Sequence, residues 1–268
     1  MHVYELGDAI LLTTAGDVKD ALLARLDQFV FAEDVQLGDI TDTFAQWAVI
    51  GPRAASVIGP LLDGVSEETL AALSEHGNTR ANWQGSAAIV TRTSDAGEPG
   101  YDIYVERAGA EALRSAIANA GVALLDDLVA ESIRIEGGIP AFHRDMDEET
   151  IPLEAGIEFR AISFTKGCYV GQEVIVRVLH RGHGRVARKL VGVRFDGDRV
   201  PAAGATVMAG DREAGHVTSS TWSPALERPI ALAYVHRDFA AVGTRLRVEG
   251  VDAEVTALPF VRAGRDRT

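Results

Sequence analysis

The chain has 268 residues, 47% of them hydrophobic and 24% charged, enough to bury a sizeable core and to divide into two or three domains, which excludes a disordered polymer. Its formal net charge of -13 disfavours nonspecific attraction to nucleic acid or anionic lipid, so any polyanion site must be local. No apolar run approaches the roughly 20 residues that cross a bilayer, and the opening Met1-His2-Val3-Tyr4-Glu5 lacks a basic signal start, which places the chain in the cytoplasm; one cysteine, Cys168, permits neither an internal disulfide nor a self-contained zinc or cluster site.

Residues 9–13 form a short β-compatible run, and 18–31 then set Val18, Leu22, Leu26, Phe29 and Val30 near one helical face, with Asp17 as the candidate cap. Strands are expected at 44–50, 86–92 and 101–106, the last two forming a hairpin around Asp95-Ala96-Gly97. Helices are expected at 52–62, 66–75 and 110–120, the last presenting Leu113 and Ile117 on one side. A helix over 127–136 should stop at Gly137-Gly138, because glycine accepts the left-handed turn and Pro140 cannot continue the hydrogen bonding; an irregular acidic loop then runs to Glu154. Beyond Val186 the texture changes to short β-prone runs at 190–195, 205–208, 215–220, 230–235, 244–248 and 253–257, broken by Gly, Pro or Asp. The order implies an α+β fold closed by a small antiparallel β-barrel.

The densest chemical signal is Lys166-Gly167-Cys168-Tyr169-Val170-Gly171-Gln172-Glu173, where two glycines allow close backbone approach and an ammonium beside a thiol favours thiolate. Read bare, Cys168 is equally a small packing residue. From Val174 to Phe195 there is no acid, whereas Arg177, Arg181, Arg185, Arg188, Lys189 and Arg194 are cationic. Guanidinium forks match carboxylates and phosphates, so this stretch suits a folate's glutamate tail, an acidic protein surface or, more weakly, RNA; a solvated face paired with Asp145, Asp147, Glu148 and Glu149 explains it equally well. His180 and His183, three apart, invite a metal reading with Cys168, but no further ligand motif completes it, and no metal is assigned.

The octapeptide resembles the K-G-C-Y-x-G-Q-E signature of YgfZ proteins and of related mitochondrial iron-sulfur assembly factors. Ala96-Gly97-Glu98-Pro99-Gly100-Tyr101-Asp102 resembles the T-G-E-D-G-Y-E loop of the glycine-cleavage T-protein, Arg134-Ile135-Glu136-Gly137-Gly138 its R-x-E-x-G segment, and Ile151 to Gly156 its T-P-x-E-A-G segment. The resemblance implies an aminomethyltransferase-like folate-binding fold, with 1–47 and 123–185 as the remainder of the first domain, 48–122 as a second α+β domain and 186–268 as the C-terminal barrel. It implies tetrahydrofolate, or a reduced derivative, as ligand. Glu98 stands where the pterin-binding glutamate stands, a carboxylate able to accept two parallel hydrogen bonds from the pterin's amino group and ring nitrogen; Tyr101, Arg134 and Arg177 complete the expected folate contacts. Cys168 then carries the activity with Lys166 beside it, while Gly167, Tyr169, Gly171, Gln172 and Glu173 shape the loop.

The likeness runs from about Val3 to Val261, and the family's opening segment, with the transferase's catalytic aspartate and part of the pterin wall, has no counterpart here. A shortened or mis-started protein, or one completed by another chain, is the expectation. The favoured function is a folate-binding accessory factor in assembly or repair of iron-sulfur proteins, supporting cluster-dependent tRNA-modifying enzymes. The rival is a tetrahydrofolate-dependent aminomethyl or one-carbon transferase, and a third class is an RNA or protein interaction module built on the 177–194 basic stretch.

Overall fold

The computed structural model describes residues 1–181 and 185–262, and the chain divides into two compact units, 1–94 with 98–124 and 95–97 with 125 onward. In the first unit, β1 (His2–Glu5) pairs antiparallel with β2 (Ile10–Thr13), and a separate four-stranded sheet of order β3-β6-β5-β4 is built from β3 (Phe44–Ile50), β4 (Asn78–Trp83), β5 (Ser86–Thr93) and β6 (Gly100–Glu106). Gln84 and Gly85 both take positive φ, 51° and 85°, as a two-residue hairpin between β4 and β5 requires. Around the sheet lie α1 (Lys19–Asp27), α2 (Ala54–Ile58), α3 (Glu67–Ala71) and α4 (Ala110–Asn119).

One face of this sheet is the core. Tyr101, Ile103 and Val105 alternate inward from β6 and meet Val49, Val90, Ile58, Leu70 and Leu113. Ser66 caps α3 by accepting from the Thr69 amide at 3.2 Å, while Trp47 and Trp83 donate their indole N–H groups to the carbonyls of Ala110 at 3.0 Å and Gly109 at 3.1 Å, fixing the start of α4. The opposite face carries Tyr104, which packs with Tyr4 and Leu11 of the β1–β2 hairpin. Asn78 donates to the Glu5 carbonyl at 3.1 Å and ties that hairpin to β4.

The second unit opens with α5 (Asp127–Glu136), whose cap Asp126 accepts from the Val129 amide at 2.8 Å. The helix stops as expected: Gly138 takes φ +68° and its N–H donates to the Ile135 carbonyl at 2.9 Å. Short helices α6 (Pro152–Ala155), α7 (Glu158–Ala161) and α8 (Gln172–Val176) follow, with a π-helical turn at Arg177–Arg181. Then β7 (Arg188–Phe195), β8 (Thr206–Ala209), β9 (Arg212–Ser223), β10 (Arg228–His236), β11 (Arg245–Val248) and β12 (Val251–Thr256) close a barrel of order β10-β7-β12-β11-β8-β9. Val193, Phe195, Val217, Ala233 and Val255 fill it, and Ile135 of α5 packs on its outside with Leu190, Ile230 and Leu232. The expected α+β fold with a C-terminal antiparallel barrel is what the chain adopts.

Three expectations need correction. The 18–31 helix is shorter, is capped by no side chain and buries no residue, and Phe29 is left exposed, because nothing in the unit packs over it. The 52–62 helix shrinks to α2, since Gly59 lies so close to the backbone of Ser66 and Glu67 that the chain turns there. The acidic stretch before Glu154 contains α6, opened by Pro152 and ended by Gly156 at φ +71°.

Candidate functional site

Glu98 stands just before β6 and is 6% exposed. Its loop is anchored by local sequence on both sides. Gly97 takes φ +80° and passes so near Gly137 that a Cβ on Gly97 would lie 2.5 Å from the Gly137 Cα, and Arg160 pairs with Asp95 on the same side. After Glu98, the Pro99 carbonyl accepts from the Gly51 amide at 2.8 Å, and Gly100 presses on the Val49 carbonyl, where a Cβ would sit 2.8 Å away. A carboxylate is thus held in a buried position by backbone contacts that only glycines permit.

Tyr101, expected beside the folate, is a core residue: its side chain lies among Ile103, Leu70 and Val49, and its hydroxyl donates to the Leu70 carbonyl at 2.9 Å. Burial raises the phenol pKa above its ordinary value.

Arg134 lies in the second unit and uses all five N–H groups within it. Nε and Nη2 donate to the two Glu131 oxygens at 2.9 and 2.5 Å, Nη1 donates to the Ile139 carbonyl and to Asp145 Oδ2 at 2.8 Å, and Nη2 also reaches Ser219 Oγ at 2.9 Å. Asp145 in turn accepts from the Ala141 amide at 3.0 Å and from the Thr218 hydroxyl. The Arg134 fork holds Glu131 below the usual carboxylate range. Arg134 therefore ties α5 to the 139–146 turn and to β9, with no donor left for a ligand.

The Lys166 to Glu173 loop is exposed at Lys166, Gly167, Cys168, Gly171 and Glu173. Lys166 Nζ sits over the Tyr169 ring, 5.2 Å from its centroid; the Tyr169 amide donates to Gln172 Oε1 at 3.3 Å, and Gly171 enters α8 at φ +85°. Arg177 is exposed and no carboxylate pairs with it among the described residues. The rest of the basic stretch is partly neutralised: Arg188 donates to Glu154 at 2.9 Å and lies 4.5 Å over the Tyr234 ring, while Arg194 pairs with Glu254 at 2.8 Å. Among the described residues no group of three or more His, Cys, Asp or Glu is placed to hold a metal ion, and the side chains of His180 and His183 fall outside them. No helix among the described residues is long and apolar enough to cross a membrane.

Sequence reasoning missed the Arg134–Asp145–Thr218–Ser219 assembly and the Glu154–Arg188–Tyr234 stack. The acids near 145 were visible only as counter-charges for the basic stretch, whereas Asp145 serves Arg134 instead.

The GCVT N-terminal domain model matches residues 1–166 and the glycine cleavage T-protein C-terminal barrel domain model matches 188–262. An aminomethyltransferase of Rubrobacter xylanophilus is 32% identical over 264 residues, covering 98% of this chain and 69% of that protein, and one of Streptomyces avermitilis is 34% identical over 275 residues, covering 97% and 72%. The crystal structure of the glycine cleavage system aminomethyltransferase T from Bartonella henselae aligns with a TM-score of 0.77 at 23% identity, over 92% of this chain and 67% of that one. These likenesses overturn the expectation of an accessory factor for iron-sulfur proteins and tRNA-modifying enzymes. That expectation rested on eight residues of one exposed loop, and the curated relatives alike along nearly the whole chain are aminomethyltransferases. The chain belongs to the glycine cleavage T-protein family.

Proposed function

We propose that this protein binds a reduced folate and transfers an aminomethyl or one-carbon unit to it, as a tetrahydrofolate-dependent aminomethyltransferase. The observation that carries the reading is Glu98, a carboxylate nine-tenths buried on a loop anchored at Gly97 and Gly100. Its two oxygens suit the adjacent donors of a pterin, the amino group and ring N–H, and burial strengthens such charge-assisted bonds. The folate supplies, when bound, the ring nitrogen that takes up the one-carbon unit. The protein's part at Glu98 is to fix the pterin plane, and the anchored loop does so without reorganising on binding.

Calorimetric titration with 5-formyltetrahydrofolate tests this. Glu98→Gln replaces one acceptor by a mismatched donor, and affinity is expected to fall by more than about tenfold while thermal stability holds. Unchanged affinity, or a loss of stability in its place, would overturn the reading of Glu98 as the pterin contact.

A further inference from the structure

A cleft of about 500 Å³ lies within the first unit, between α1 and the β1–β2 hairpin, with Tyr104 and Phe44 of the sheet among its lining. Its size falls in the range of ligand pockets, roughly 300–1,000 Å³. Leu22, Leu23, Leu26, Leu11 and Ile40 make its walls apolar. The polar groups are few. Lys19 is already matched, 2.5 Å from Asp39 and 3.0 Å from Asp20. Arg107 is not: it donates Nε to the Asp42 carbonyl at 3.0 Å and Nη2 to the Thr41 carbonyl at 2.8 Å, and no carboxylate pairs with it among the described residues. In a chain of net charge -13, this cleft presents a guanidinium without a counter-ion beside a leucine wall.

Tyr104 adds an independent observation. It lines the cleft, is 6% exposed, and its hydroxyl has no partner in good hydrogen-bond geometry. A buried hydroxyl left without a partner is costly, and such groups are rare unless a ligand or water answers them. Burial also pushes this phenol above its ordinary range, so it stays a proton donor at any physiological pH.

We propose that the cleft binds an amphipathic carboxylate, with an unbranched apolar chain along the α1 leucines and the carboxylate on Arg107. Apolar walls account for the chain, and the unmatched cation selects an anionic head over a neutral or cationic one. This site is separate from the folate reading and does not depend on it.

Titration of the full chain with decanoate, decanol and decylammonium, below their aggregation limits and followed by the methyl resonances of the leucines, tests the proposal. Decanoate is expected to saturate at one site, with decanol and decylammonium at least about tenfold weaker, as loss of one charge-assisted bond implies. Leu26→Asp should abolish decanoate binding, and Arg107→Gln should reduce decanoate to the level of decanol. Because Arg107 also holds loop carbonyls, the decanoate-to-decanol ratio in the unaltered protein is the deciding quantity. Equal binding of the three probes, or saturation by none, would overturn the site.

Discussion

Arg134 donates Nη1 to Asp145 Oδ2 at 2.8 Å, and the Asp145 side chain is fully shielded from solvent. The pair joins α5 to the turn that follows it, and Ser219 and Thr218 extend it to β9. Removing one member leaves an uncompensated buried charge. Arg134→Leu or Asp145→Leu alone is expected to cost about 3–5 kcal/mol in urea denaturation, whereas the double substitution should recover much of that loss. A double variant as unstable as the sum of the two singles would show that the residues do not act as a pair.

Tyr101→Phe separates packing from ligand binding. The hydroxyl serves the Leu70 carbonyl at the end of α3, so its removal should cost about 1 kcal/mol of stability, with folate affinity unchanged by calorimetry. A selective loss of affinity would restore Tyr101 to the folate site.

Burial, opposed by Arg188, pushes the Tyr234 phenol up to about 12. An unfolded phenol titrates near 10, so the folded state holds its proton through that window. The contribution is therefore complete below about pH 10 and is lost as pH rises towards 12. Denaturation midpoints at alkaline pH should fall more steeply for the native chain than for Tyr234→Phe, and parallel curves would refute the assignment.

A Cβ on Gly215 would lie 1.8 Å from the Tyr234 carbonyl oxygen, next to a register shift in β8–β9. Gly215→Ala must displace barrel backbone and is expected to cost at least about 1–3 kcal/mol. Gly38→Ala, with no atom near its Cβ position, serves as the comparison and should stay within about 0.5 kcal/mol of the native chain in the same thermal melts.

These contrasts show which parts of the molecule were written locally. Helix α5 matched its expected span because Asp126 caps it and Gly137-Gly138 ends it within the segment itself. Strand β4 was not legible: Asn78-Thr79-Arg80-Ala81-Asn82-Trp83 buries only Ala81 and Trp83, and its outward polar residues hide the alternation. The short β1 was hidden in the same way, with Tyr4 its one buried residue. At the candidate site, Glu98 was readable because its glycine-rich loop is contiguous. The Arg134 assembly was not, since its partners at 131, 145 and 219 meet only after α5 has docked on β9. Tyr101 illustrates the converse, a residue inside a functional-looking loop motif that strand alternation turns into the core.

The three tryptophans give this chain a built-in spectroscopic division. Trp47 and Trp83 both hydrogen-bond the first turn of α4 in the first unit, whereas Trp222 sits on β9 of the barrel and is 40% exposed. Emission from the α4 pair is shielded from water and shifts to the red when that helix leaves the sheet; Trp222 already emits from a wet environment. The blue and red edges of a single emission spectrum thus follow different units, and unfolding that begins in one before the other registers as a wavelength-dependent midpoint without any added label.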